Sequence, residues 1–98
     1  MEGFDQLNKA FDSRVRIGVM SILAVNSWVS YKDLKSLLEL TDGNLASHIN
    51  ALEKLHYIEI KKQFIAKKPL TTYRVTKTGK KAFEQHIDGL EKLLKGPN

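Results

Sequence analysis

The chain has 98 residues, 42% of them hydrophobic and 28% charged, which allows one domain with one modest core. It contains no cysteine, which excludes a disulfide framework, a thiolate metal site and a cysteine nucleophile. The net charge is +5, but unevenly placed: residues 1–60 hold six basic and eight acidic side chains, residues 61–81 eight basic and none acidic, and residues 82–98 two basic and three acidic.

A positive field this concentrated suits a polyanion. A lysine-rich hairpin that only aids solubility is the alternative. No apolar run approaches the roughly 20 residues of a membrane span, and MEGFDQLNKA carries no signal-like leader. No membrane association is expected, and a cytoplasmic location is the default.

In chain order, Phe4, Leu7, Ala10 and Phe11 mark one apolar side of a short first helix. Asp12 or Ser13 can cap the next segment, RVRIGVMSILAV, whose apolar residues from Val15 to Val25 leave little polar face. A helix apolar on most sides is buried from several directions, so this one is expected at the centre of the core. Trp28-Val29 is expected as a very short strand, with Trp28 anchoring the core beside it. Ser30 stands three residues before Asp33, an N-cap with an acid in the first turn. The helix it starts, YKDLKSLLEL, is expected to bury Leu34, Leu37 and Leu38.

After a tight Leu40–Asp42 connection comes the segment that organises the rest, residues 41–56. Leu45, Ile49, Leu52 and Leu55 fall four, three and three apart, the period of one buried helical face. Thr41 is the expected cap, accepting the N–H of Gly43 or Asn44. The opposite side carries Gly43, Ser47, Asn50 and Lys54, flanked by Asn44 and Ala51. Surface helices are ordinarily laced with Glu–Lys pairs, so this face is expected to lie against something. Two short helices so joined read as a helix-turn-helix, whose second member enters the DNA major groove. A plain surface helix in a small bundle is the alternative.

Beyond His56 the apolar period changes to two, over Tyr57–Lys61 and again over Thr72–Thr76. The intervening residues 65–70 read as a hairpin tip, with Pro69 stopping the strands. A hairpin after a helix-turn-helix is a wing, and its lysines are placed to reach the DNA backbone or minor groove. Thr76 or Thr78 opens a final helix in which Phe83, Ile87, Leu90 and Leu94 form a short a/d seam. That seam can pack within the chain or on a second copy; dimerisation through the first and last helices is the favoured expectation. Gly96-Pro97-Asn98 is expected as a frayed tail.

The chain resembles the small, stand-alone MarR-like winged-helix transcriptional regulators. The residues that carry the resemblance are Leu40–Leu45, Ser47-His48-Ile49, Leu52-Glu53, Tyr57-Ile58, and Thr71–Thr76 with Gly79. It spans about Phe11 to Leu94 and implies a homodimer on a palindromic operator. Family members commonly carry arginine or lysine on the exposed face of the recognition helix, where this chain has Ser47, Asn50 and Ala51. They also tend to carry arginines at the wing tip, where it has Lys67 and Lys68. A bidentate arginine–guanine contact is then not available from the centre of the helix. Base reading falls to Asn44, Ser47 and Asn50, while lysine, a point charge, positions more than it specifies.

The expected fold is mainly α with a small β-hairpin wing: a winged helix-turn-helix with extra N- and C-terminal helices for dimerisation. It forms one domain over residues 1–98, with a winged core at 12–76 and a dimerisation helix at 77–95. Candidate DNA-binding residues are Thr41, Gly43, Asn44, Ser47, His48, Asn50 and Lys54 on the recognition helix. On the wing and backbone side they are Lys32, Lys35, Lys62, Lys67, Lys68 and Arg74. The candidate dimer contacts are Phe4, Leu7, Phe11, Phe83, Ile87, Leu90 and Leu94.

His48, His56 and His86 show no metal-ligand spacing, so neither metal nor cofactor is expected. His48 is expected to be partly buried, hydrogen-bonded and near a phosphate. Ser47-His48 are adjacent and point about 100° apart on a helix, so they are not a positioned nucleophile and base. The glycines form no phosphate loop, and no catalysis is expected. A protein- or RNA-interaction module without sequence-specific DNA binding remains open. So does a small-molecule effector, for which no residue set stands out.

Overall fold

A computed structural model describes residues 1–96; Pro97 and Asn98, expected within the tail, lie outside the described residues. Three helices, α1 (Arg14–Val25), α2 (Tyr31–Leu38) and α3 (Asp42–Lys54), surround the core. Val19, Met20, Leu23, Leu34, Leu45, Ile49 and Leu52 are buried there together. Each helix starts at a hydroxyl that takes up an orphan N–H: Ser13 accepts from Arg16, Ser30 from Asp33 and Thr41 from Asn44. The α2–α3 turn is tight because Glu39 adopts a left-handed conformation (φ +53°), which lets the Leu40 N–H reach back to the Lys35 carbonyl.

Three antiparallel strands follow the order β1 (Val29–Ser30), β3 (Lys68–Val75), β2 (Ile58–Ile65). The β2–β3 arms are longer than their alternation predicts. They pair from Ile58–Val75 out to Ile65–Lys68, closed by a two-residue loop, Ala66-Lys67. Both loop residues have positive φ (+52° and +65°), the backbone of a type I′ turn. Pro69 therefore lies within β3 and does not end it. A two-residue turn of this type makes the closing pair Ile65–Lys68 the hydrogen-bonded one, and alternation then makes the next pair, Phe64–Pro69, a non-hydrogen-bonded one. The ring nitrogen of Pro69 points to the open edge, where no donor is needed, because β1 reaches only Thr72 and Tyr73.

Other expectations are corrected. The N-terminal segment forms two single 3-10 turns, Phe4–Gln6 and Lys9–Phe11, not an α-helix. Leu7 is extended between them, and the Asn8 side chain caps the second. Leu37 and Leu55 are exposed, since α2 presents only Leu34 fully to the core and α3 ends at Lys54. Trp28 is absent from the core. Its ring lies on the outer face of the sheet, 4.2 Å from Lys61 Nζ and 4.5 Å from Arg74 Cζ, a cation–π arrangement.

Helix α4 (Lys77–Lys95) is capped by Thr76, which accepts the Gly79 N–H at 2.9 Å. Its buried face meets the N-terminal segment at His86 and Gly89 and the Tyr57 backbone at Gly79. A Cβ at Gly3 would stand 2.5 Å from the Gly89 carbonyl oxygen, so two glycines permit this close backbone contact. The Asn8 N–H donates to His86 Nδ1 at 3.0 Å, which satisfies a buried imidazole. No helix of the described residues is long and apolar enough to cross a membrane.

Candidate nucleic-acid interface

The core stripe of α3 decides what its other side does. With Leu45, Ile49 and Leu52 turned inward, Gly43, Asn44, Ser47, Asn50 and Lys54 are exposed and Ala51 half-buried. Thr41, also exposed, has its hydroxyl engaged by the Asn44 N–H at 3.3 Å. A Cβ at Gly43 would meet nothing within 4 Å, so this face is open at its start. The Tyr31 hydroxyl donates to the Asp42 carbonyl at 2.8 Å, and Lys35 pairs with the Asp42 carboxylate at 3.0 Å. Both ties fix the first turn of α3 to α2. Lys35 thus has an acidic partner within the protein, while Lys32 is exposed on the same helix.

His48 is held from behind: Arg16 Nε on α1 donates to its Nδ1 at 3.0 Å. Burial, and then the Arg16 charge, lower the His48 pKa below its usual value. Both effects favour the neutral imidazole, which is the form able to accept this hydrogen bond. Arg16 was not singled out in the sequence, where 32 positions separate it from His48.

Cross-strand partners share a face, so the wing has two distinct sides. One carries Ile58, Ile60, Lys62 and Phe64 opposite Val75, Tyr73, Thr71 and Pro69. At its base this side joins the core through Ile58 and Tyr73, and Tyr73 lies 6.5 Å from the Tyr31 ring. Tyr31 in turn binds the first turn of α3, so the base of this side of the wing lies near the start of α3. The other side carries Glu59, Lys61 and Ile65 opposite Arg74, Thr72 and Lys68. Arg74 is engaged there by the Glu59 carboxylate and the Trp28 ring. Residues 62–69 are all exposed, including Lys62, Lys67 and Lys68.

The candidate dimer residues separate into two groups. Phe11 is buried, stacked on Tyr57 at 5.6 Å and edge-on to Phe83 at 5.3 Å, so Phe11 and Phe83 belong to the chain's own interior. Leu7 is half-buried, near Gly89. Phe4, Ile87, Leu90 and Leu94 are exposed. On the helical wheel the Ile87–Leu90–Leu94 stripe lies about 70° from His86, beside the strip of α4 that the N-terminal segment covers.

An open groove of about 540 Å³ separates α1 from the α2–α3 turn, bounded by Arg14, Ile17, Leu37, Leu38, Leu40 and Asn44 among others. Among the described residues no three His, Cys, Asp or Glu side chains cluster as metal ligands.

The family model described as a winged helix DNA-binding domain matches residues 15–94. An uncharacterized protein of Methanocaldococcus jannaschii is 34% identical over 87 residues, covering 89% of this chain and 95% of its own length. The solved structure of a transcriptional regulator homologue from Pyrococcus horikoshii OT3 is similar, with a TM-score of 0.78 and 26% identity. That likeness covers 95% of this chain and 97% of the other. The crystal structure of MarR gives a TM-score of 0.75 at 14% identity, over 89% of this chain and 63% of that one, a likeness of fold.

Proposed function

The chain belongs to the winged helix DNA-binding domain family, and from that premise we propose that it is a transcriptional regulator binding double-stranded DNA as a homodimer on a palindromic operator. Helix α3 lies in the major groove and the wing on the flanking backbone or minor groove. The observation that carries this reading is the uncluttered outer face of α3 beside an exposed hairpin of lysines. Residues 12–76 form the DNA-reading unit, and α4 supplies the dimer contact.

Asn44 and Asn50 are the base readers, since an amide can pair with adenine through two hydrogen bonds. Thr41, Gly43, Ser47, His48 and Lys54 complete the contact. His48 contributes through the ring edge that Arg16 leaves unengaged, and Lys32 and Lys35 approach phosphates. Selection from a random DNA pool tests the reading. Half-sites about one helical turn apart, ~34 Å, are expected. No enriched sequence, together with no duplex binding at low salt, would reject it. Asn44→Ala or Asn50→Ala should cost roughly 1–3 kcal/mol at particular base pairs. Equal losses on every sequence would remove that assignment.

The exposed stripe of Ile87, Leu90 and Leu94 supports a second copy of the chain as its cover. Leu90→Glu with Leu94→Glu should halve the mass seen by sedimentation while leaving the melting temperature of the protomer nearly unchanged. A wild-type protein that sediments as a monomer at high concentration would refute the dimer. One observation favours a second reading: the outer face of α3 holds no arginine, which also fits docking of a protein or RNA. Gel shift with random duplex at low salt separates the two.

A further inference from the structure

The wing tip carries more than charge. Phe64 is 79% exposed and Ile65 55% exposed, with Pro69 exposed directly across from Phe64. A single exposed apolar residue needs no explanation, but here an aromatic ring and a proline stand together at the end of a hairpin. They lie four residues beyond Ile60 and Tyr73, on the side of the wing whose base is linked through Tyr31 to the first turn of α3. No acidic side chain occurs from Lys61 to Lys81. Lys62 lies on the same face as the ring, Lys67 in the turn and Lys68 on the opposite face, so positive charge is concentrated at this end of the hairpin. A partner for this surface must be anionic around an apolar centre.

Duplex DNA has that pattern in its minor groove, where two phosphate strands flank sugar faces and base edges. A two-stranded ribbon is too wide for a groove roughly 6 Å across, but this one closes in a two-residue turn, from whose end a single side chain can enter. Apolar side chains that enter there partly unstack a base step and bend the duplex by roughly 20–90°. We infer that Phe64, backed by Pro69, is an apolar wedge that enters the minor groove beside the α3 site and bends the DNA. This inference rests on the DNA-binding reading above and adds a residue that contacts sugars and bases, where the lysines contact phosphates.

The test uses the full chain and a duplex obtained by selection, labelled at both ends for energy transfer and carrying 2-aminopurine in the flank the wing would reach. Wild-type protein is expected to shorten the end-to-end distance and raise the 2-aminopurine fluorescence. Phe64→Ala is expected to bind about tenfold more weakly, with both signals lost and the salt dependence unchanged, because no phosphate contact is removed. Lys67→Ala, as comparator, lowers the salt dependence and retains both signals. An unchanged melting temperature for Phe64→Ala establishes that the exposed ring does not support the fold. Affinity within twofold of wild type, or a loss of affinity with bend and fluorescence intact, overturns the wedge while leaving DNA binding in place. The wedge is equally overturned if Phe64→Ala binds DNA as wild type does but no longer sediments with phosphatidylserine vesicles. Failure of the wild-type protein to bind any duplex rejects the underlying reading itself.

Discussion

Replacing Lys62, Lys67 and Lys68 together with alanine is expected to weaken binding to duplex DNA of any sequence by about two orders of magnitude for each wing engaged, near physiological salt. Each phosphate neutralised by a cation contributes about 0.9 to the slope of log affinity against log salt concentration. Three lost contacts per wing therefore remove about 2.7 from that slope. Extrapolated from 1 M salt, where this contribution vanishes, to about 0.15 M, that corresponds to roughly 100-fold per wing, and to about 10,000-fold for a dimer with both wings engaged. All three side chains are exposed, and none is in an ion pair among the described residues. Their removal should leave the melting temperature nearly unchanged. Arg74→Ala provides the contrast. Its guanidinium is shared between Glu59 and Trp28, so its loss should change the slope by much less than one unit. Titrations at several salt concentrations decide the matter. An unchanged slope for the triple variant, or losses confined to one operator, would remove the wing from the phosphate contact.

The difference between those lysines and Arg74 illustrates what the sequence could and could not specify. Helix positions were legible because capping and periodicity are local: Ser13, Ser30, Thr41 and Thr76 each cap the helix that follows. The outer face of α3 was legible for the same reason, since a stripe of Leu45, Ile49 and Leu52 fixes its opposite side. The partner of Arg74 was not. Glu59 faces it only through the register of the hairpin, and register depends on the turn. Type I′ turns are ordinarily announced by Asn-Gly or Asp-Gly. Ala66-Lys67 adopts the positive φ of such a turn without either signal, so the tip read as six residues instead of two. The same omission concealed the pairing of Phe64 with Pro69. Trp28 was misplaced because alternation alone does not say which face of a two-residue strand is covered. Its own left-handed backbone (φ +56°) and the cations on the outer face hold it there.

Gly79→Ala is expected to damage the fold severely. A Cβ at this position would lie 2.0 Å from the Tyr57 carbonyl oxygen and 2.7 Å from the carbon behind it, both backbone atoms. That carbonyl is not free to move. It accepts the Thr76 N–H at 3.0 Å, while the Thr76 hydroxyl donates to the His56 carbonyl at 2.6 Å and accepts from Gly79. The Tyr57 ring is stacked on Phe11, and its hydroxyl accepts from Asn8 Nδ2 at 3.0 Å. Relief would require α4 to tilt away from the hairpin, uncovering Phe11 and His86. Overpacking against rigid neighbours costs about 1–3 kcal/mol and sometimes more, and here the upper end applies because the obstacle is backbone. A loss of about 3 kcal/mol corresponds to a fall in melting temperature of roughly 12–24 °C for a domain of this size. Gly43→Ala is the matched control. Its Cβ would enter open space on a helix, and alanine there should stabilise by up to about 1 kcal/mol. Thermal unfolding of the two variants should therefore move in opposite directions. A fall below about 5 °C for Gly79→Ala would mean that α4 can shift cheaply. The stripe on α4 would then be a poor fixed reference for spacing two recognition helices on one duplex.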